Sequence, residues 1–263
     1  MNRKNSRNRK EVRARIIELI RSGVSIPKIS HQLNLAKSTI YHHYKKIKGK
    51  QSKEAIIPLN DFILGEFLGA FAGDGSFFYD KKYGHYTLSF HFHAIDDRRY
   101  AEYLKEVISK EFKQKARFYQ KPPRAMVLVF YSKKIYLLLK AYLGITGAKT
   151  ERLELLKSMD ELSHNFKIGF VRGVIDTDGH VNKHGFIVLS LIAKKLVLQV
   201  SEMLHEFGIQ NKVALRKKQN NWKDQYELRI PKKEMKAYLS IIGFSNKRKE
   251  LTATSSVSGT ETH

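Results

Sequence analysis

The chain has 263 residues, of which 49 are Lys or Arg and 25 are Asp or Glu, so its formal net charge is +24. Such a basic folded chain is typical of proteins that bind a polyanion, either nucleic acid or an acidic membrane surface. A hydrophobic content of 42% argues against a wholly disordered chain. The sequence contains no cysteine, which excludes disulfides, thiolate metal sites and a thiol nucleophile and agrees with a reducing compartment.

No targeting or membrane segment is expected. The first ten residues are polar and basic and lack the apolar run of a secretory signal. The longest apolar stretches, 62–72 and 186–193, are shorter than the ~20 residues that span a bilayer. We therefore expect an intracellular protein (cytoplasm, nucleoid or organelle) that is not secreted and has no membrane partner.

The N-terminal part of the chain is its most basic segment. Residues 1–53 contain 15 Lys or Arg and 2 Glu, a net charge of +13. Apolar residues at helical spacing predict three helices there, with Gly23 ending the first, Ser25 as an N-cap and Asn34 in a turn. The segment 25–44 resembles a helix-turn-helix, with the small residue Ser30 where two helices would cross.

We therefore predict an all-α helix-turn-helix DNA-binding domain at residues 1–50. In this motif the start of the second helix enters the major groove. The residues predicted to lie near DNA are Lys37, Ser38, Thr39, His42 and His43. A disordered basic arm and a three-helix protein-interaction module are the alternatives.

A linker at 51–60, which contains Pro58, precedes an internal duplication with an offset of 104 residues. The matched residues are Gly65, Gly69, Asp74 and Gly75 in the first copy and Gly169, Gly173, Asp178 and Gly179 in the second. Downstream, residues 140–143 recur as 236–239, and a basic cluster follows each, around Lys149 and around Lys247. The repeat predicts two related units, 61–157 and 158–252, with a disordered tail at 253–263.

Alternation of apolar and polar residues predicts half-exposed antiparallel strands in both units, at 86–93, 117–121 and 225–230. Strands can occupy the major groove of DNA, so their polar faces are candidates for base and phosphate contacts. The candidates in this region are Thr87, Ser89, His91, His93, Arg117, Tyr119, Lys121, Arg216, Lys218 and Arg229.

The duplicated segments are helices with glycine along one face. Gly65, Gly69 and Gly73 are four residues apart, and glycine costs roughly 1 kcal/mol in a helix interior. The two glycine faces are therefore expected to pack against each other. Each helix then ends in Asp-Gly, with Gly75 and Gly179 expected as left-handed C-caps.

The two aspartates are the candidate catalytic groups. Acids at the negative ends of two packed helices repel each other unless a divalent cation bridges them. The alternative is a pair of ordinary solvated Asp-Gly turns.

This paired pattern, from Asp61 to Leu251, resembles the monomeric two-motif LAGLIDADG homing endonucleases. The resemblance implies an α+β fold: two pseudo-symmetric αββαββα units with a DNA-binding β-saddle, here following the helix-turn-helix domain. It implies a metal-dependent endonuclease, encoded in an intron, that cleaves both strands of a long asymmetric DNA target. The expected cofactor is Mg²⁺, as two or three divalent ions, and the expected partner is double-stranded DNA.

The resemblance also implies roles for particular residues. Asp74, Asp178, Lys149 and Lys247 would be catalytic, and the metal would be bound by Asp74, Asp178 and the backbone carbonyls of Gly73 and Thr177. The first motif has Ala72 where the family often has an acid, whereas the second has Asp176. That position is expected to support the helix interface or the helix cap, so cleavage is not expected to depend on it.

Two other functions are compatible with the same resemblance, an RNA-splicing maturase and a transcription regulator that binds DNA without cutting it. A regulator needs neither Asp74 nor Asp178, so the presence of both favours a nuclease. A maturase can keep both acids, so this function remains an alternative to the nuclease. An intein is not expected, because the sequence starts with Met and ends in Glu-Thr-His.

Overall fold

The structure is a computed structural model that describes residues 3–48, 54–121, 124–144, 153–182, 184–218 and 223–258. The chain divides into two compact units, residues 1–53 and 54–263. Within the described ranges, no helix combines the length and the apolar character needed to cross a bilayer.

The first unit is a small helical bundle of α1 (Arg3–Arg21), α2 (Ile26–Gln32) and α3 (Lys37–Lys48). Its core is formed by Ile16, Ile20, Ile29 and Ile40. Gly23 and Asn34 adopt positive φ angles of 81° and 48° in the two turns, as their residue types predict. The Ser30 hydroxyl donates to the Leu35 carbonyl at 2.6 Å. Ser25 is the N-cap by position, but its side chain makes no capping hydrogen bond.

The second unit contains the predicted αββαββα order twice. The first half consists of α4 (Asp61–Asp74), β1 (Gly75–Asp80), β2 (His85–His93), α5 (Arg98–Lys110), β3 (Arg117–Lys121), β4 (Ala125–Tyr131) and α6 (Lys133–Tyr142). The second half consists of α7 (His164–Asp178), β5 (Gly179–Val181), β6 (Ile187–Leu191), α8 (Lys194–Glu206), β7 (Lys212–Arg216), β8 (Gln225–Ile230) and α9 (Met235–Ile241). A further helix, α10 (Lys247–Ser258), follows the second half.

Each half has one four-stranded antiparallel sheet, in the order β1-β2-β4-β3 and β5-β6-β8-β7. The pairs Phe90–Leu128 and Leu189–Leu228 lie at the centres of the two sheets, and all four side chains are buried. Side chains alternate between faces of a sheet, so the neighbouring residues on each strand point the other way. Each sheet therefore has one face in the core and one outer face, as the alternation predicts.

The two halves meet along the glycine faces of α4 and α7. A Cβ added at Gly65 or Gly69 would collide with a backbone carbonyl oxygen of α7, and one added at Gly169 or Gly173 would collide with a carbonyl oxygen of α4. The helix backbones are therefore in direct contact, as predicted. At the opposite end of the pair, the Ser163 hydroxyl donates to Asp61 at 2.6 Å.

The predicted left-handed caps are wrong. Gly75 and Gly179 have φ angles of −76° and −73° and are the first residues of β1 and β5. Steric crowding, and not a positive φ angle, explains why both positions are occupied by glycine. A Cβ at Gly75 would collide with the ring and carbonyl of Phe71, and one at Gly179 would crowd the backbone of Ile175.

The predicted disordered tail from residue 253 is wrong for residues 253–258, which continue α10. Ala253 is fully buried, and the hydroxyls of Thr254, Ser255 and Ser256 bond back to carbonyls of their own helix. Such bonds satisfy the hydroxyl groups of Ser and Thr within a helix. The Ser/Thr-rich composition of this segment therefore does not indicate disorder.

We expect Gly69→Leu to lower the free energy of unfolding of the second unit by about 3 kcal/mol or more, because a large side chain overpacks a backbone contact. Thermal unfolding followed by circular dichroism measures the change. The control is Gly84→Ala, at a turn with φ of 65° where nothing lies within 4 Å of an added Cβ, and it should cost about 1–2 kcal/mol. Equal effects of the two changes would contradict a tight helix interface.

Candidate functional site

The C-terminal ends of α4 and α7 lie side by side. The Asp178 Oδ2 atom is 3.1 Å from the position that a Cβ would occupy at Gly73, and that Cβ would collide with the Thr177 hydroxyl. Glycine at residue 73 therefore leaves the space into which Asp178 and Thr177 fit. Asp74 follows Gly73 directly, so four predicted residues, Gly73, Asp74, Thr177 and Asp178, come together.

Thr177 is held by two sets of hydrogen bonds. Its hydroxyl turns back onto its own helix and bonds the carbonyls of Gly173 and Val174 at 2.9 and 3.0 Å. Its backbone carbonyl accepts a hydrogen bond from Lys249 Nζ at 2.9 Å. The side chain and the backbone carbonyl of Thr177 are therefore both held, which fixes the orientation of the last turn of α7.

Lys249 is buried beneath this helix end. Its ammonium donates to the carbonyls of Ile175, Asp176 and Thr177 at 2.9, 2.8 and 2.9 Å. A lysine ammonium has three donors, and the last carbonyls of a helix lack partners within the helix. Burial lowers the pKa of Lys249 to about 8, although nearby Asp176 opposes the shift. Because the three carbonyl acceptors match the three N–H donors of the ammonium group, we assign Lys249 as protonated at neutral pH.

A buried acidic network ties both motif helices to the segment before α10. Tyr103 donates to Glu66 Oε2 at 2.6 Å, and the Ser245 hydroxyl donates to Glu66 Oε1. The Ser245 amide donates to Asp176 Oδ2 at 2.8 Å. Burial raises the pKa of Asp176 to about 7, against hydrogen bonds from the amides of Ser245 and Asn246. Asp176 thus supports the packing of α7, which is the role expected for this position.

The oxygen atoms at the helix ends fit a divalent cation. The carboxylates of Asp74 and Asp178 project from the same helix ends as the backbone carbonyls of Gly73 and Thr177, although one lone pair of the Thr177 carbonyl is already used by Lys249 Nζ. Mg²⁺ prefers oxygen ligands, keeps several waters and is commonly bound by one or two carboxylates. Within the ranges that the structure describes, no group of three or more His, Asp or Glu side chains is arranged to hold a metal. A metal here would therefore depend on the two aspartates.

The structure describes only one of the two lysines that were predicted to be catalytic. Lys149 lies outside the described residues. Lys247 is exposed at the start of α10 and pairs with Glu250 at 2.6 Å. The sequence reasoning missed Lys249, because the basic cluster gave no reason to prefer one lysine over another. It also missed Glu66, although a single acid within the apolar segment 62–72 was a detectable signal.

The residues predicted on strands lie on the outer faces of the two sheets. Thr87, Ser89, His91 and His93 alternate with the buried residues of β2, and Arg117, Tyr119 and Lys121 share their face on β3. On the second sheet Arg229 and Arg216 lie on β8 and β7, and Lys218 follows β7.

Several of these side chains are already held by neighbours. Ser76 bonds the Ser89 hydroxyl at 2.8 Å and His91 Nε2 at 3.3 Å, and His93 Nδ1 is 3.0 Å from Asp96. The outer face of the first sheet is therefore a polar surface with partly fixed side chains.

The residues predicted to contact DNA in the first unit lie at the start of α3. Lys37, Ser38, Thr39 and His42 are exposed, whereas His43 is half-buried. Burial, followed by the charge of Arg13, lowers the pKa of His43. The exposed residues lie in the first half of α3, and their contact with DNA stays a prediction.

Comparison with family models gives two matches that divide the second unit. The model described as "WhiA LAGLIDADG-like domain" matches residues 65–162, and the model described as "LAGLIDADG-like domain" matches residues 165–243. Each match includes one motif helix and the sheet that follows it.

Two solved structures illustrate the fold. The homing endonuclease I-DmoI in complex with DNA and Mn superposes with a TM-score of 0.54 and 18% identity, covering 70% of this chain and 98% of that one. Full-length WhiA from Thermatoga maritima superposes with a TM-score of 0.50 and 15% identity, covering 78% and 62%.

A curated relative is much longer. The replication factor C small subunit of Methanocaldococcus jannaschii is 30% identical over 187 residues, which are 71% of this chain and 10% of that protein. The chain thus spans about one tenth of the length of this relative.

We expect Lys249→Met to lower the free energy of unfolding by about 3–5 kcal/mol, because it removes a buried charge and leaves three carbonyls without a donor. For a unit of this size the unfolding temperature should fall by roughly 10 °C. The control is Lys247→Met at an exposed position, which should change stability by no more than about 0.5 kcal/mol. Equal stability of the two variants would contradict the bracing role of Lys249.

Proposed function

Because the chain carries two LAGLIDADG-like domains in one two-motif LAGLIDADG fold, we propose that it is a site-specific DNA endonuclease. Its proposed reaction is metal-dependent hydrolysis of phosphodiester bonds in both strands of a long asymmetric target. One observation carries the proposal: Asp178 fits into the space left by Gly73, so it lies beside the helix end that carries Asp74. One chain supplies both halves, so we propose a monomer that acts in the homing of an intron.

The carboxylates of Asp74 and Asp178, with the carbonyls of Gly73 and Thr177, are the proposed ligands. A divalent ion such as Mg²⁺, when bound, supplies charge neutralisation at the phosphate and lowers the pKa of bound water. The helix ends hold the two carboxylates in fixed positions, and Lys249 and Asp176 keep the last turn of α7 in place.

The exposed basic residues orient the nucleic acid. Lys247 projects from the start of α10, where it can neutralise phosphate charge, and Lys149 is its proposed counterpart in the first half. The two sheets present their outer faces, on which Arg117, Lys121 and Arg229 lie, and the net charge of +24 favours a polyanion.

A DNA-binding regulator that does not cut is the second candidate. The likeness of residues 65–162 to the WhiA LAGLIDADG-like domain favours it. Such a protein has no use for acids at the helix ends, whereas this chain has both Asp74 and Asp178. Cleavage of target DNA separates the two functions. An RNA-splicing maturase predicts preferential binding of a structured intron RNA instead.

We expect Asp74→Asn and Asp178→Asn each to abolish double-strand cleavage, because each change removes an anionic ligand while keeping the shape of the side chain. Binding to the same duplex in Ca²⁺ should be retained. The measurement is plasmid cleavage with Mg²⁺ beside gel-shift titration with Ca²⁺. The conservative control is Asp61→Asn, at the other end of α4, which should cut DNA normally. Full cleavage by either helix-end variant would remove that aspartate from the site.

We expect removal of residues 1–53 to weaken DNA binding and to flatten its dependence on salt, because each lost phosphate contact reduces the slope by about 1. The deleted segment is a compact unit that carries neither motif aspartate, so cleavage of the remaining site should persist. The DNA footprint should shorten on one flank, since the chain has one copy of this unit. An unchanged footprint and salt slope would assign residues 1–53 to another partner.

A further inference from the structure

The pairing of strands allows the outer faces of the two sheets to be compared residue by residue. Gly75 pairs with Phe90 and Gly179 pairs with Leu189, so Phe90 and Leu189 are equivalent. Their partners on the next strand, Leu128 and Leu228, are then equivalent as well. This alignment comes from hydrogen-bonded register and was not evident from the repeat in the sequence.

The equivalent residues on the outer faces differ in chemistry. On the outer face of strand β4, Ala125 is exposed, Val129 is half-buried and Val127 between them is buried, whereas the equivalent residues of β8 are Gln225, Glu227 and Arg229. The two sheets share a topology, but β4 carries apolar side chains within an otherwise polar outer face, whereas β8 carries polar and charged side chains at the equivalent positions.

The first sheet extends its apolar row with exposed aromatic side chains. Phe78, Thr87 and Tyr131 are directly opposite one another on β1, β2 and β4. Phe78 is 63% exposed and Tyr131 is 58% exposed. Arg117 and Lys121 lie beside this surface on the edge strand β3. Their positive charges attract the phosphates of a nucleic acid.

The second sheet presents an arginine that is held in place. Arg229 Nη2 is 3.2 Å from Glu227, and its guanidinium lies 5.6 Å from the centre of the Phe186 ring. Arg216, on the neighbouring strand, is 3.5 Å from the other carboxylate oxygen of Glu227. Glu227 therefore positions two arginines whose side chains are more than half exposed.

We propose that the two sheets recognise the two halves of the target by different chemistry. The first sheet contacts thymine methyl groups through Phe78, Thr87, Ala125 and Val129. The second contacts guanine through Arg216 and Arg229, held by Glu227. Alanine, phenylalanine and the threonine methyl suit the thymine methyl group, and arginine bonds two acceptors of guanine in the major groove. The inference rests on the proposed function, since it takes duplex DNA as the ligand of both sheets.

The test begins with selection of binding sites from a randomised duplex library by the full chain in Ca²⁺. The selected sites should be rich in thymine contacts in one half and in guanine contacts in the other. Replacing dT by dU in the first half removes only methyl groups and should weaken binding about fourfold for each contacted base. The same replacement in the second half should have no effect.

Three variants assign each half of the DNA to its sheet. Arg229→Lys keeps the charge and should reduce the preference for guanine by about fivefold or more, with an unchanged salt slope. Glu227→Gln should also reduce that preference but tighten non-specific binding, because it removes a negative charge. Val129→Ser, at the position equivalent to Arg229, removes both methyl groups and should reduce only the sensitivity to dU. Each variant should unfold at the temperature of the unmodified chain.

Four results overturn the inference, and two of them leave the proposed function intact. Equal dU sensitivity in both halves, or an Arg229→Lys variant with altered salt slope and unaltered base preference, overturns it while leaving the proposed nuclease intact. Failure of the full chain to select any duplex sequence, or stronger binding to structured RNA, overturns the proposed function as well.

Discussion

The contact between the backbones of α4 and α7 is the constraint on which the second unit depends. At Gly65, Gly69, Gly169 and Gly173 the lack of a Cβ lets the backbone of each helix touch carbonyl oxygens of the other. Because carbonyl oxygens then lie where side chains would otherwise be, neither helix can rotate or slide without a collision. This fixed geometry brings the two aspartates to the same end of the helix pair and sets the spacing of the two sheets that follow them.

Close helix packing leaves polar groups at the helix ends with few partners, and the chain satisfies them from its C-terminal segment. Lys249 neutralises the end of α7, while Ser245 joins Glu66 of α4 to Asp176 of α7. A buried charge without partners would cost several kcal/mol. The network therefore makes the position of Asp178 dependent on α10, a helix that lies outside the duplicated αββαββα pattern.

Local patterns were enough to predict the repeat, the glycine faces, the polar faces of the strands and the meeting of the helix ends that carry Asp74 and Asp178. They failed where tertiary contacts decide the outcome. A Ser/Thr-rich segment became helical because Ala253 is buried, and Gly75 entered a strand because Phe71 leaves no room for a Cβ. Lys249 differs from Lys247 only by the face of α10 on which it lies, which periodicity in a short basic cluster does not reveal. The predicted helix-turn-helix has matching helices and turns, but its role in binding DNA is still a prediction.

Covalent linkage of the two halves allows their outer faces to differ in chemistry while their inner faces both stay apolar. The inner residues Phe90, Leu128, Leu189 and Leu228 all pack in one continuous core, so each substitution there is constrained by close packing. The outer residues are less constrained, because many of them are at least half exposed. In a dimer of identical chains both faces would have to change together, but in a single chain Val129 and Arg229 can differ at equivalent positions. A ligand without twofold symmetry is therefore the kind that this arrangement suits.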